Sequence, residues 1–392
     1  MSVQAIIKEW NTLEEIYKME YKTDFSLFNY ETKRKLDLIV SKIEKEIENI
    51  HFSVVESYLV MYIEEYVQEE FKNSKINMIK NFLKEQKNAP VKSFKVFSEV
   101  QGIFLREENI KLGKYYFYRT DTISNHTSNQ SFLNRIKQIY HPEEPENKLA
   151  PKTRSPKCLV MLEVLAKDYD SARKFAKDEL EKLEGTFNLI LNNSRYSVKV
   201  SNNYGKQSDS LYVLFESGEC MSIDHDEKKY LNLLDLKTII DFSESMRIEK
   251  VWEIISMDLD QQSLMEQRIL NAIGWMNRGS KDININAAQV QYTMALEGLV
   301  ILKQGHSIKK RFIERITLLL KKDEATRILY KETAKEVYEI RSKIVHGNHT
   351  SKIRSLDLIK AQNLLREVLF SILSKKDLAS FNEYNFIDKI EN

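Results

Sequence analysis

The spacing of apolar residues changes twice along this chain and divides it into three parts. Up to about residue 90, Val40, Ile43, Ile47 and Ile50 recur at helical intervals. Val54, Tyr58, Met61, Tyr62 and Tyr66 continue the pattern, with charges on the opposite faces. Asn88-Ala89-Pro90 closes this stretch. Beyond it the spacing shortens. Phe94 to Leu105 and Lys114 to Arg119 (KYYFYR) are rich in aromatic and branched residues with Gly113 between them, which predicts a hairpin with a long loop. Residues 141–157 hold four of the five prolines and many charges, the composition of a surface loop or linker.

Cys158 to Ala166 (CLVMLEVLA) then predicts a buried strand. Asp168 or Asp170 is placed to cap a following helix that carries Ala172, Phe175, Ala176, Leu180 and Leu183, with Gly185 at its expected end. Tyr196 to Val200 and Leu211 to Phe215 alternate as strands do. From about residue 247 helical spacing returns and no proline interrupts it. Helices are expected near 258–277, 285–303, 306–321, 323–346 and 354–375, with short connections, as in an antiparallel bundle. The expected fold class is α+β: an N-terminal helical segment (1–92), a mixed α+β middle domain (93–246) and an all-α C-terminal bundle (247–392).

Composition narrows the function. Of the 392 residues, 60 are basic and 58 acidic, so net charge gives no case for coating nucleic acid, and any such site must be local. Two cysteines, Cys158 and Cys220, exclude a disulfide framework and a cysteine-rich zinc site. The N-terminus has no apolar core of a signal peptide, and no run of about 18 apolar residues occurs. The expectation is a cytoplasmic protein with no membrane partner. Neither a phosphate-binding loop, a dinucleotide fingerprint nor a nucleophile elbow is present. The run Tyr115-Tyr116-Phe117-Tyr118 has two uses, base stacking or alternating packing in a strand, and packing is the commoner.

The segment Tyr338-Glu339-Ile340-Arg341-Ser342-Lys343-Ile344-Val345-His346-Gly347 carries the chemistry. Ala334, Val337, Ile340 and Ile344 mark an apolar helix face, extended by Val345, and Arg341 sits at its edge, where a guanidinium needs a partner. Gly347 reads as the left-handed residue that ends the helix. Arg341 and His346 are five apart, about 140° around an ideal helix, so they share a face only if the helix ends or bends between them, or if two copies meet across a dimer. An imidazole can move the proton of an RNA 2′-hydroxyl while a guanidinium holds phosphate oxygens, and DNA lacks that hydroxyl. Taken alone, Arg-x4-His is common by chance.

The wider sequence resembles the Apea-like HEPN family. YEIRSKIVHG looks like its signature, Arg268 to Asn277 (RILNAIGWMN) like its first core helix, and Tyr292 to Val300 (YTMALEGLV), with Glu297, like its second. Ile308 to Leu320 is similar to the stretch with a recurring arginine, here Arg315. The resemblance covers roughly residues 255–375. It implies a dimerising helical bundle with two Arg/His motifs in one cleft, and a metal-independent ribonuclease of antiviral defence, abortive infection or toxin systems. Its expected partners are RNA, with transfer RNA the family-level guess, a second copy of the chain, and a phage-derived trigger. No cofactor or metal is expected, His346 and His349 having no nearby Cys or acidic ligand at a standard spacing except Asp357.

The residue after the arginine departs from the family pattern: it is Ser342, which can still donate or accept a hydrogen bond. Val290, Met294, Glu297 and Ile301 share one helical stripe, which would point the Glu297 carboxylate into the bundle to pair with Arg341 or Arg315, or to act in the site directly. Arg315, on a face with Phe312, Ile316 and Leu319, reads as a structural partner. Lys343, Lys352 and Arg354 surround the motif and either guide a phosphate backbone or form a solvated basic face. Arg341, His346, Ser342 and Glu297 are thus the catalytic candidates. Residues 1–246, by elimination, are read as sensory, regulatory or substrate-selecting. The rival reading is a non-catalytic HEPN module for dimerisation or RNA binding.

Overall fold

A computed structural model describes residues 40, 55, 84–85, 87–134, 158–191, 198, 200, 211–214, 220–223, 234–258, 260–302, 307–347 and 353–375. The helical reading of residues 1–92 and the proline-rich stretch at 141–157 fall almost wholly outside them. What is described is mixed α+β and mostly helical, with an antiparallel sheet.

The sheet is built from β1 (Lys92–Val100), β3 (Asn109–Leu112), β4 (Tyr115–Arg119), β5 (Cys158–Ala166), β6 (Leu211–Leu214) and β7 (Cys220–Ile223), in the order β3-β4-β5-β1-β6-β7. The expected hairpin between the first two apolar runs does not form. β5 lies between them, pairing Val96 with Leu162 on one side and Phe117 with Val160 on the other. The hairpin instead joins β3 to β4 around Gly113, whose φ of +60° explains the glycine. Two short parallel strands, β2 (Ile103–Phe104) and β8 (Leu234–Asp235), stand apart.

Alternation along β4 sends Tyr115 and Phe117 into the main core, while Tyr116 and Tyr118 pack on the other face of the sheet beside Phe97 and Phe132. The core face is covered by α1 (Tyr169–Leu191). Asp168 caps α1, accepting from the Ser171 N–H (2.7 Å) and hydroxyl (2.9 Å). Gly185 does not end this helix. A Cβ there would come within 2.8 Å of the Ile273 side chain, so the glycine permits close helix packing. Of the expected strand at 196–200, Val198 and Val200 are described, and both lie in irregular backbone. Asn188 and Glu184 of α1 hold them by their N–H groups (3.2 and 2.9 Å).

Two short helices, α2 (Leu236–Ser245) and α3 (Lys250–Ser256), lead to the bundle. It comprises α4 (Leu264–Lys281), α5 (Ile285–Val300), α6 (Ile308–Leu320), α7 (Glu324–Val345) and α8 (Ser355–Leu373). These match the five expected helices; α4 starts later and runs past its expected end to Lys281, and the other four are shortened at one or both ends. Starts are set by side-chain caps: Ser263 with Glu266 for α4, Asn284 for α5, and Asp323 with Thr326 for α7. One buried core runs from the sheet through α1 to α8 without a break. Among the described residues no helix is long and apolar enough to cross a membrane.

Candidate active site

α7 ends as its sequence implies. Gly347 takes φ +75° and donates its N–H to Ile344 O (3.2 Å), and the His346 N–H donates to Ser342 O (3.1 Å). Only Ala334 and Val337 of α7 are buried. Arg341, one turn beyond Val337, continues their stripe toward α5 and is half-buried.

There it meets Glu297. Arg341 Nη2 lies 3.6 Å from Glu297 Oε2, with the two side chains 25% and 21% exposed. That is an ion pair, but longer than a hydrogen bond. Arg341 Nε and Glu297 Oε1 are both buried and have no hydrogen-bond partner among the described residues, so the two-pronged contact open to arginine and carboxylate is not made. Burial raises the Glu297 carboxyl above its ordinary value, and the Arg341 charge offsets this only in part. Glu297 is also less interior than its stripe suggested. The buried face of α5 is Ala288, Tyr292, Ala295, Leu296 and Leu299, while Met294 is exposed and Val290, Glu297 and Ile301 lie at the edge.

Of the two arginines open to Glu297, Arg341 is the one it pairs with. Arg315 is buried and donates to Val300 O (2.6 Å), the structural part its apolar neighbours implied.

His346 is exposed, and α7 runs unbroken to Val345, so the helix stop comes too late to turn it toward Arg341. Within one chain the two side chains leave the helix about 140° apart. Ser342, one turn before His346, shares the face of His346 instead. Lys343 is exposed. Arg354 is tied to Asp357 at the start of α8 (Nη2 to Oδ1, 2.9 Å), which matches much of its charge locally. Lys352 and His349 lie outside the described residues, among which no group of three acidic, His or Cys side chains is placed to hold a metal.

Arg268 was named from sequence only as the first residue of an expected core helix, with no role of its own. From α4 it donates to the carbonyls of Gly298 (2.6 Å), Ile301 (2.9 Å) and Leu302 (2.9 Å), at the end of the helix that carries Glu297. Main-chain acceptors leave no mark in a sequence, so only its place on a helix with apolar neighbours hinted that it was held. No family model, curated protein or solved structure matches this chain.

Proposed function

We propose that this protein is a metal-independent endoribonuclease of the HEPN type that works as a homodimer in antiviral defence or abortive infection, released by a phage-derived trigger. The observation that carries the reading is the Arg341–Glu297 pair: a half-buried guanidinium held near a carboxylate, with spare hydrogen-bonding capacity, five residues before an exposed histidine at a glycine-terminated helix end.

In this reading His346 takes the proton of an RNA 2′-hydroxyl. The freed oxygen attacks the adjacent phosphorus, and the bond to the 5′-oxygen breaks as a second acid protonates it. A 2′,3′-cyclic phosphate and a 5′-hydroxyl result. Arg341 holds the non-bridging oxygens as charge grows on them. Ser342 assists by hydrogen bonding on the face it shares with His346, and Glu297 orients Arg341. The divergence of Arg341 and His346 within one chain makes a cleft shared by two copies the arrangement that supplies both groups. Lys343, Lys352 and Arg354 are assigned to the phosphate backbone of the substrate, with transfer RNA the first substrate to try.

Cleavage of RNA in EDTA by wild type, His346→Ala and Arg341→Ala tests this. Loss of an acid–base group should slow cleavage by about 10²–10⁴-fold. A wild type that cuts no RNA, or two variants that cut as fast as wild type, would end the assignment. The same divergence of the pair also favours a second reading, a non-catalytic dimerisation or RNA-binding module. Growth arrest on bacterial expression that His346→Ala abolishes separates the enzyme from this module.

A further inference from the structure

The contact between Glu297 and Arg341 is too long to fix either side chain by itself. The Glu297 position must come from its helix. We infer that Arg268, with Arg315, is a positioning residue for the Arg341 site, because both grip the C-terminal turn of α5 that carries Glu297. This rests on the function proposed above.

The last carbonyls of a helix have no partner within it and carry its negative end. Many helices close that end with a left-handed glycine. α5 does not. Its cap residue, Ile301, is extended at φ −105° and ψ 91°, and donates its N–H to Glu297 O (2.8 Å). The following carbonyls are taken from two sides. Arg268 reaches Gly298, Ile301 and Leu302 from α4, and Arg315 reaches Val300 from α6. Glu297 thus sits in a turn whose backbone is tied by two guanidinium groups on two other helices. A flat fork with several donors suits this task, and a lysine ammonium does not reproduce it.

If the turn frays, the Glu297 carboxylate leaves Arg341 and gains water. Arg341 then loses its bearing on the phosphate. A misplacement of about 1 Å costs up to about a hundredfold in rate. The loss should fall on kcat with KM unchanged, because the affected interaction forms as charge develops. A residue that acts through Glu297 should also add nothing once Glu297 is gone.

The experiment follows the Glu297 carboxyl by ¹³C NMR titration, and the Ile301 amide by hydrogen exchange, in wild type and Arg268→Lys. Amides of the last turn of α5 in the wild type should be as protected as those at mid-helix, a result that needs no variant. In Arg268→Lys the carboxyl should titrate lower, toward its ordinary value, and Ile301 should exchange faster. Cleavage by Arg268→Lys/Glu297→Gln should be no slower than by Glu297→Gln alone. A frayed last turn in the wild type, an unchanged titration in the variant, or losses that multiply in the double variant would overturn the inference. If the wild type cuts no RNA, the ribonuclease reading fails, while the titration and the exchange still decide whether the clamp exists.

Discussion

Glu184 and Glu297 each face a cation on a neighbouring helix, and the two contacts are built differently. Glu184 of α1 is fully buried where α1 meets α4. It pairs with Lys281 and accepts the Val200 N–H (2.9 Å). Around it Asn188 holds Val198 and donates to Asn277 (3.3 Å), and Arg366 of α8 closes the end of α1 by donating to Leu189 O (3.0 Å) and Ile190 O (3.3 Å). Glu297, by contrast, stands 3.6 Å from its arginine, with one oxygen buried and unpartnered. The first pair is in direct contact and joins the sheet-bearing region to the bundle. The two pairs thus differ in how closely the cation is held.

That contrast can be broken by substitution. Glu184→Ala leaves Lys281 without its buried partner and should cost about 3–5 kcal/mol in denaturant unfolding. Gly185→Ala forces a Cβ to within 2.8 Å of Ile273 Cγ2 and 3.1 Å of its carbonyl oxygen. Overpacking of that kind should cost about 1–3 kcal/mol by the same measurement. The surface pair of Lys309 with Glu339 is about half exposed, and Lys309→Ala should cost less than about 1 kcal/mol.

Glu297→Gln should show the smallest loss of stability and the largest divergence between stability and activity. Burial holds its carboxyl above the ordinary value, so folding favours the protonated form. Its contribution to stability is present below the unfolded-state value and is lost as pH rises through the raised folded-state value. Above that value folding carries the cost of a buried charge. Glu297→Gln should unfold at the same temperature as wild type or higher, with the difference larger at pH 8 than at pH 4, while RNA cleavage falls. A variant that is less stable at pH 8 and cleaves normally would make Glu297 a structural residue like Glu184.

The helices of the bundle were legible because each carries an unbroken apolar stripe and a polar start signal, as at Asp323 and Asn284. β5 was legible from its continuous apolar run. Strand order was not, because pairing of β1 with β5 depends on a partner beyond the proline-rich stretch, which no local pattern marks. Gly185 misled for a related reason: a glycine that admits a neighbouring helix looks the same in sequence as one that ends its own. At the site, the edge position of Arg341 and the helix stop at Gly347 followed from periodicity, while the choice of Arg341 over Arg315 as the partner of Glu297 needed the structure. The outward turn of His346 depended on where the helix stops, a matter of one or two residues. The grip of Arg268 and Arg315 on α5 involves backbone acceptors and could be seen only in three dimensions.

The chemistry proposed for Arg341 and His346 is tested most directly by the ends it leaves on RNA. Wild type in EDTA should yield 2′,3′-cyclic phosphate and 5′-hydroxyl termini by mass spectrometry, and His346→Ala should yield none. Termini bearing a 3′-hydroxyl and a 5′-phosphate, or the same cyclic product in equal amount from His346→Ala, would contradict the account.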